Sequence, residues 1–159
     1  MKKIALGGKN GEGKFALVDD EDFEELNKYK WYCDAHGYAR RDIWISKKGN
    51  KPVLMHKYLL NVEKGYQVDH KNTIRLDNQK SNLRKATLQQ NRRNKTVQKN
   101  SKTQLKGVTL FQNGKFRAYI NINSKQIHLG YFIESIDAAH AYNEAAINHH
   151  GEFANINKL

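Results

Sequence analysis

From Arg92 to Lys106 the chain reads RRNKTVQKNSKTQLK, with no acidic residue and with Val97 and Leu105 as its large apolar side chains. Such a stretch cannot bury enough surface to offset the entropy of ordering it, so it is predicted to be a linker or extended arm. Whatever folds must fold on either side of it. The composition agrees: 38% hydrophobic content over 159 residues suits small separate cores better than one large one. Lys and Arg outnumber Asp and Glu by 28 to 16, a formal charge of +12. That balance favours a polyanionic partner, nucleic acid first, over a merely soluble basic protein. Arg92, Arg93, Lys95, Lys99, Lys102 and Lys106 give the arm the charges to track a phosphate backbone.

Cys33 is the single cysteine, which excludes an internal disulfide and a cysteine-rich zinc site and fits a reducing compartment. Met1 to Gly8 holds basic residues but no apolar run of signal-peptide type, and no segment approaches a membrane span. The expectation is a cytoplasmic protein with no membrane partner.

Residues 1–52 read as a small α/β unit. Lys14 to Val18 is predicted to be a strand, and the acidic run Asp19 to Glu25 a helix start, its acids near the positive end of the dipole. Tyr38 to Arg41 and Ile43 to Ser46 read as strands, with a turn at Lys47 to Asn50. Met55 to Leu60 reads as a short helix.

Beyond the arm, residues 106–159 read as three strands and a helix. Phe116, Ala118, Ile120 and Ile122 alternate with Arg117, Tyr119, Asn121 and Asn123, giving one apolar and one polar face. Asn113-Gly114 marks a turn before this strand. Ser135 is expected to cap a helix with Asp137 in its first turn, a small-residue stripe at Ala138, Ala141, Ala145 and Ala146, and Gly151 at its end. With the helix on the apolar face, Arg117, Tyr119 and Asn121 point outward, where Arg can read guanine and Asn adenine. This stretch resembles the Apetala-type (plant ethylene-response) DNA-binding domain. The matching residues are Gly107-Val108, Lys115 to Ala118, Ile127 to Phe132, Ala138-Ala139, Ala141-Tyr142 and Phe153 to Asn157. The resemblance implies that Lys115, Arg117, Tyr119 and Asn121 contact DNA.

The chemistry-bearing segment is Val68 to Arg84, VDHKNTIRLDNQKSNLR. Asp69 and His70 end a predicted strand, so their side chains point to opposite sides. One can hold a metal while the other reaches a water. Asn82 follows in the loop before Leu83-Arg84. Thr87 to Gln90 matches a capping box, so a helix is expected from Leu88 with Asn91 in its first turns. Oxygen donors from Asp69 and Asn91 suit a hard cation such as Mg²⁺, with Mn²⁺ able to substitute and no zinc expected. His70 is suited to take a proton from water near neutral pH, and Asn82 to orient His70 and fix the loop. Taken singly, each of these residues also has an ordinary reading as a turn acid, surface histidine, loop or cap residue.

Together they resemble the HNH homing endonucleases of phage and intron type, over residues 53–94. The carrying residues are Met55 to Leu59, Val68 to His70, Arg75 to Asn78, Ser81 to Arg84 and Gln90-Asn91. The resemblance implies a ββα-metal core and a site-specific endonuclease hydrolysing phosphodiester bonds with one divalent metal, Asp69 and Asn91 as ligands and His70 as general base, nicking its DNA. Asn94, one helical turn after Asn91, is the rival ligand, and Arg84 joins the expected DNA contacts. His56 is expected to buttress the site. Thr73 stands where relatives often carry glycine, so that loop is expected to differ in shape. His149-His150 carry no metal expectation.

The whole is thus expected to be α+β: an amino-terminal α/β unit (1–52), a ββα-metal core (53–97), a basic linker (98–105), and a three-stranded antiparallel sheet packed on one helix (106–159). The expected partner is double-stranded DNA, bound by a monomer, with a dimer left open. A catalytically silent, sequence-specific DNA-binding regulator is the alternative, and an RNA-binding accessory protein the next.

Overall fold

The computed structural model describes residues 1–46, 49–97 and 100–159. The fold is mixed α+β, and it divides into two compact units, Met1–Asn91 and Arg92–Leu159.

In the first unit, β1 (Lys2–Gly7), β2 (Phe15–Val18), β3 (Trp31–Cys33), β4 (Ala39–Ser46) and β5 (Gly49–Leu54) form one sheet in the order β2-β1-β3-β4-β5. The β1–β3 pair is parallel and the others antiparallel. Period-2 alternation buries Ile4 and Leu6 of β1 with Ala16 and Val18 of β2. Helix α1 (Asp20–Asn27) contributes Leu26 to the same core, and Trp31 Nε1 donates to the Leu26 carbonyl at 2.8 Å where the chain returns to the sheet. The two strands expected at 38–41 and 43–46 are one strand, β4, and Lys47 and Lys48 of the expected turn lie outside the described residues.

The chain does not separate near residue 52. Helix α2 (Met55–Leu60) follows β5 directly and places Met55 in the core of the five-stranded sheet. The hairpin β6 (Gln67–His70) and β7 (Leu83–Ala86) is joined by a loop that lies along β2. Leu17 N–H donates to the Leu76 carbonyl and Asn78 N–H to the Leu17 carbonyl, both at 2.8 Å. The acids of α1 hold the same loop. Asp19, the N-cap residue, makes no cap hydrogen bond; its carboxylate accepts from Lys80 N–H at 2.7 Å. Lys80 Nζ reaches Glu21 at 2.6 Å and Asp22 at 2.8 Å.

Helix α3 (Leu88–Arg93) follows the hairpin. Its capping box closes in both directions, Gln90 N–H to Thr87 Oγ1 at 3.2 Å and Thr87 N–H to Gln90 Oε1 at 2.8 Å.

The second unit contains β8 (Val108–Leu110), β9 (Phe116–Ile122) and β10 (Lys125–Phe132) in the antiparallel order β10-β9-β8, covered by α4 (Ser135–His150). Ala118 and Ile120 of β9 meet Ala138, Ala139, Tyr142 and Ala146 of the helix. The small stripe permits a close approach that leaves no spare room at Gly107, where a Cβ would sit 2.0 Å from the Tyr142 ring, at a backbone φ of 71°. Ser135 is the first helical residue and not the cap; Glu134 occupies that place, without a side-chain cap bond. Gly151 ends the helix in the positive-φ region, as expected.

The described part of the expected basic linker is folded into this unit. Asn94 is buried, with its carbonyl accepting from Asn155, and Lys106 N–H donates to Asn157 Oδ1 at 2.7 Å. What holds the stretch is hydrogen bonding to the carboxy-terminal segment, which an apolar count of the stretch does not register.

Candidate active site

β6 delivers Asp69 and His70 side by side, and both are buried. Gln67 and Asp69, two residues apart, share one face of the strand. Over that face stands α3, with Asn91 Nδ2 donating to Gln67 Oε1 at 2.6 Å. That bond commits the amide nitrogen and leaves Oδ1, the atom a cation would use, outside it. Asp69 thus offers a carboxylate, and Asn91, tied to the residue two positions before Asp69 on β6, an amide oxygen. Among the described residues no three His, Cys, Asp or Glu side chains gather as a metal site, so a cation here would draw on amide as well as carboxylate oxygen. Such a donor set fits a hard divalent ion of the magnesium type.

Asp69 is not a bare charge. Arg84, its register partner on β7, approaches Oδ2 with Nε at 2.8 Å and Nη2 at 2.7 Å, the two side chains 10% and 5% exposed. Arg84 was expected to face DNA; the structure turns its guanidinium inward onto Asp69, because opposite residues of an antiparallel pair put their side chains on the same face.

His70 lies among aromatic rings. Its ring meets His56 edge-on at 5.1 Å between centroids and Tyr38 at 6.0 Å. Burial lowers the His70 pKa, offset in part by the hydrogen bond to Asn78, and the ring is a neutral base at physiological pH. Burial, with His70 beside it, pushes His56 down to about 3. His56 is therefore a neutral packing partner, as expected of a buttress.

Asn78 and Asn82 divide the work that Asn82 alone was expected to do. Asn82 accepts from Asn72 N–H through Oδ1 at 3.0 Å and donates through Nδ2 to the Asp77 carbonyl at 2.8 Å, closing the loop on itself. Asn78, fully buried, is the one that meets His70, with Oδ1 3.4 Å from Nε2. Its Nδ2 donates to the Leu76 carbonyl at 3.3 Å, which fixes the amide's orientation. An acceptor oxygen against Nε2 puts the proton there and the lone pair on Nδ1. Asn78 stands inside the matching motif, yet three asparagines (Asn72, Asn78 and Asn82) occupy this loop, and nothing in the spacing singles it out. Thr73 takes the glycine-like conformation at φ 64°, its N–H donating to the His70 carbonyl at 2.9 Å. A β-branched residue held at that φ is strained.

The basic residues are dispersed. Arg92, Lys95 and Lys102 are exposed in the second unit, Arg93 is half-buried, and Lys99 lies outside the described residues. Lys106 is withdrawn from any DNA role as an exposed cation: its ammonium donates to the carbonyls of Arg93 at 2.5 Å and Lys95 at 2.7 Å, and burial pushes it down to about 8. Lys115 and Asn121 are exposed, and Arg117 and Tyr119 half-buried, with the guanidinium 5.3 Å from the Tyr119 ring centroid. Asn94 belongs to the second unit, whereas Asn91 is tied to β6. Buried His150 has Nε2 3.3 Å from the Asn121 carbonyl. Among the described residues no helix is long and apolar enough to cross a membrane.

Residues 61–93, which hold β6, β7 and α3, match the sequence pattern of the HNH endonuclease family. Over 155 residues the chain is 31% identical to an uncharacterised HNH endonuclease of Acanthamoeba polyphaga mimivirus, covering 94% of this chain and 78% of the relative.

Proposed function

The chain belongs to the HNH endonuclease family, and from that membership we propose that it is a homing-type endonuclease that hydrolyses one phosphodiester bond of duplex DNA at a defined site. The observation that carries the reading is the hairpin-plus-helix site itself. A buried acid and a buried neutral histidine end β6, and α3 returns an asparagine to the same strand. His70 takes the proton of the attacking water on Nδ1, the nitrogen that Asn78 leaves with the lone pair. Asp69 and Asn91 would hold Mg²⁺, or Mn²⁺ in its place, with Arg84 holding the carboxylate in one rotamer. When bound, the ion supplies Lewis-acid stabilisation of the charge developing on the leaving 3′ oxygen. Asn82 keeps the loop closed so that Asn78 and His70 stay in register.

The second unit supplies affinity and sequence preference in this reading. Its outward strand face carries Arg117, Tyr119 and Asn121, the arrangement that resembles the Apetala-type domain. The observation favouring the silent-regulator alternative is the Arg84–Asp69 ion pair, since a guanidinium already neutralises the carboxylate a metal would need. Incubating the full chain with supercoiled DNA carrying a pooled insert library and Mg²⁺, then mapping ends, separates the two. An endonuclease yields nicked circles with ends at recurrent positions. A silent regulator binds and leaves every circle closed.

A further inference from the structure

Strands β4 and β5 outrun the sheet they belong to. β3 pairs with β4 only at Ala39 and Arg40, whereas the β4–β5 register runs from Arg40↔Leu54 to Ser46↔Gly49. Beyond Arg41 the two strands form a projecting ribbon, on the order of 15 Å long at about 3.3 Å per residue. Its apolar side chains lie in solvent: Ile43, Trp44 and Ile45 are 40%, 71% and 58% exposed. Three large apolar neighbours exposed on a ribbon outside the unit's core mark a surface suited to a partner.

The base of the ribbon, by contrast, is firmly held. The Arg41 guanidinium lies 3.5 Å from the centroid of the Tyr29 ring, 5.4 Å from Tyr58 and 5.5 Å from Trp31. Tyr38, directly before β4, and His56, one residue into α2 after β5, both pack on the His70 ring. Tyr38 and His56 also meet each other, at 5.0 Å between centroids, so the ribbon's two strands start and finish beside one ring cluster that includes the candidate general base.

The chemistry of the arm selects its occupant. Asp42 to Lys51 reads DIWISKKGNK, with three lysines against one acid, Asp42, which is already paired with Arg40, and that balance favours a polyanion. Edge-to-edge pairing with a second copy is blocked, because β5 is an edge strand carrying Pro52, the chain's one proline, which has no N–H to offer. The DNA major groove, roughly 12 Å wide, admits a two-stranded ribbon and presents base edges and thymine methyls to apolar side chains. We propose that the β4–β5 ribbon lies in a groove of the duplex with Trp44 against the bases, so that its seat in the groove sets which phosphodiester reaches His70. This rests on the duplex-DNA substrate proposed above.

The test uses the full chain in EDTA with a mixed-sequence DNA duplex. The two tryptophans differ sharply, Trp31 being 3% exposed and Trp44 71%, so acrylamide quenching reports Trp44. Saturating duplex should shield that quenching. Trp44→Ala should weaken duplex affinity about tenfold or more, the scale of one lost base–aromatic contact, with an unchanged melting temperature; Trp44→Phe should keep most of the affinity. If wild type binds duplex with quenching unaltered and Trp44→Ala binds equally well, the ribbon proposal is overturned and the DNA reading stands. Shielding by single-stranded DNA or RNA but not by duplex also overturns it. If wild type binds no duplex at all, the substrate reading fails and takes the ribbon with it.

Discussion

At the scale of single residues, the buried pair Asp69–His70 can exist only because each member has a partner, and the partners decide what each can do. Asp69 is paired with Arg84, in an ion pair that is nearly all buried. Removing the arginine takes away the cation that faces this buried carboxylate, so Arg84→Ala should lower stability by about 3 kcal/mol. Because a cation then becomes the compensating charge, added Mg²⁺ should raise the melting temperature of Arg84→Ala more than that of wild type. Equal shifts in the two proteins would place the metal elsewhere. His70→Ala should reduce cleavage by roughly 10² or more while duplex affinity barely moves. Asp69 and His70 were singled out in the sequence through the resemblance to the HNH endonucleases, since taken singly each has an ordinary reading, and the structure buries both at the end of β6. The residue that orients His70 was not singled out. Asn78 and Asn82 are the same side chain four positions apart; the bond from Asn78 N–H to Leu17, far away in sequence, anchors its backbone, and the bond from Nδ2 to the Leu76 carbonyl orients its amide at the ring.

Secondary-structure elements were read best where local chemistry specifies them. The Thr87–Gln90 box starts α3 where expected, and alternation along β9 predicts which face meets α4. Elements held by distant partners were not: the acids of α1 look like dipole partners in the sequence and prove to grip Lys80 across the loop. Helix α2 carries a consequence for acid stability. His56 is buried with its pKa pushed from 6.5 to about 3, and among the described residues its Nδ1 has no hydrogen-bond partner. A histidine depressed in the folded state binds its proton more readily when unfolded. Its contribution is therefore complete above about pH 6.5 and is lost as the pH falls toward about 3. Chemical denaturation across that window should show stability declining with acid, and His56→Phe should flatten the decline. An unchanged slope in the variant would mean that other groups control it.

For the molecule as a whole, the +12 charge is spread over two units. Lys102 is exposed and should act through counterion release, so Lys102→Ala should weaken all duplexes alike and reduce the salt slope by about 0.9. Arg117 on the outward strand face should discriminate: its loss should cost about 1–3 kcal/mol of preference at one base. Binding to matched and base-substituted duplexes at several salt concentrations compares them, and a uniform loss from both variants would remove base reading from the sheet face. The division into two parts was foreseeable from a basic stretch poor in apolar residues, but its side was not, since Lys106 and Asn94 are recruited by residues near the carboxy terminus. The claim on which everything else depends is that Asp69, His70 and Asn91 make one metal-assisted hydrolytic site. End-group analysis of pooled duplex DNA cut by the full chain tests it most directly. The account predicts 5′-phosphate and 3′-hydroxyl ends formed with Mg²⁺ and none in excess EDTA; 3′-phosphate ends, or cutting undiminished by EDTA, would contradict it.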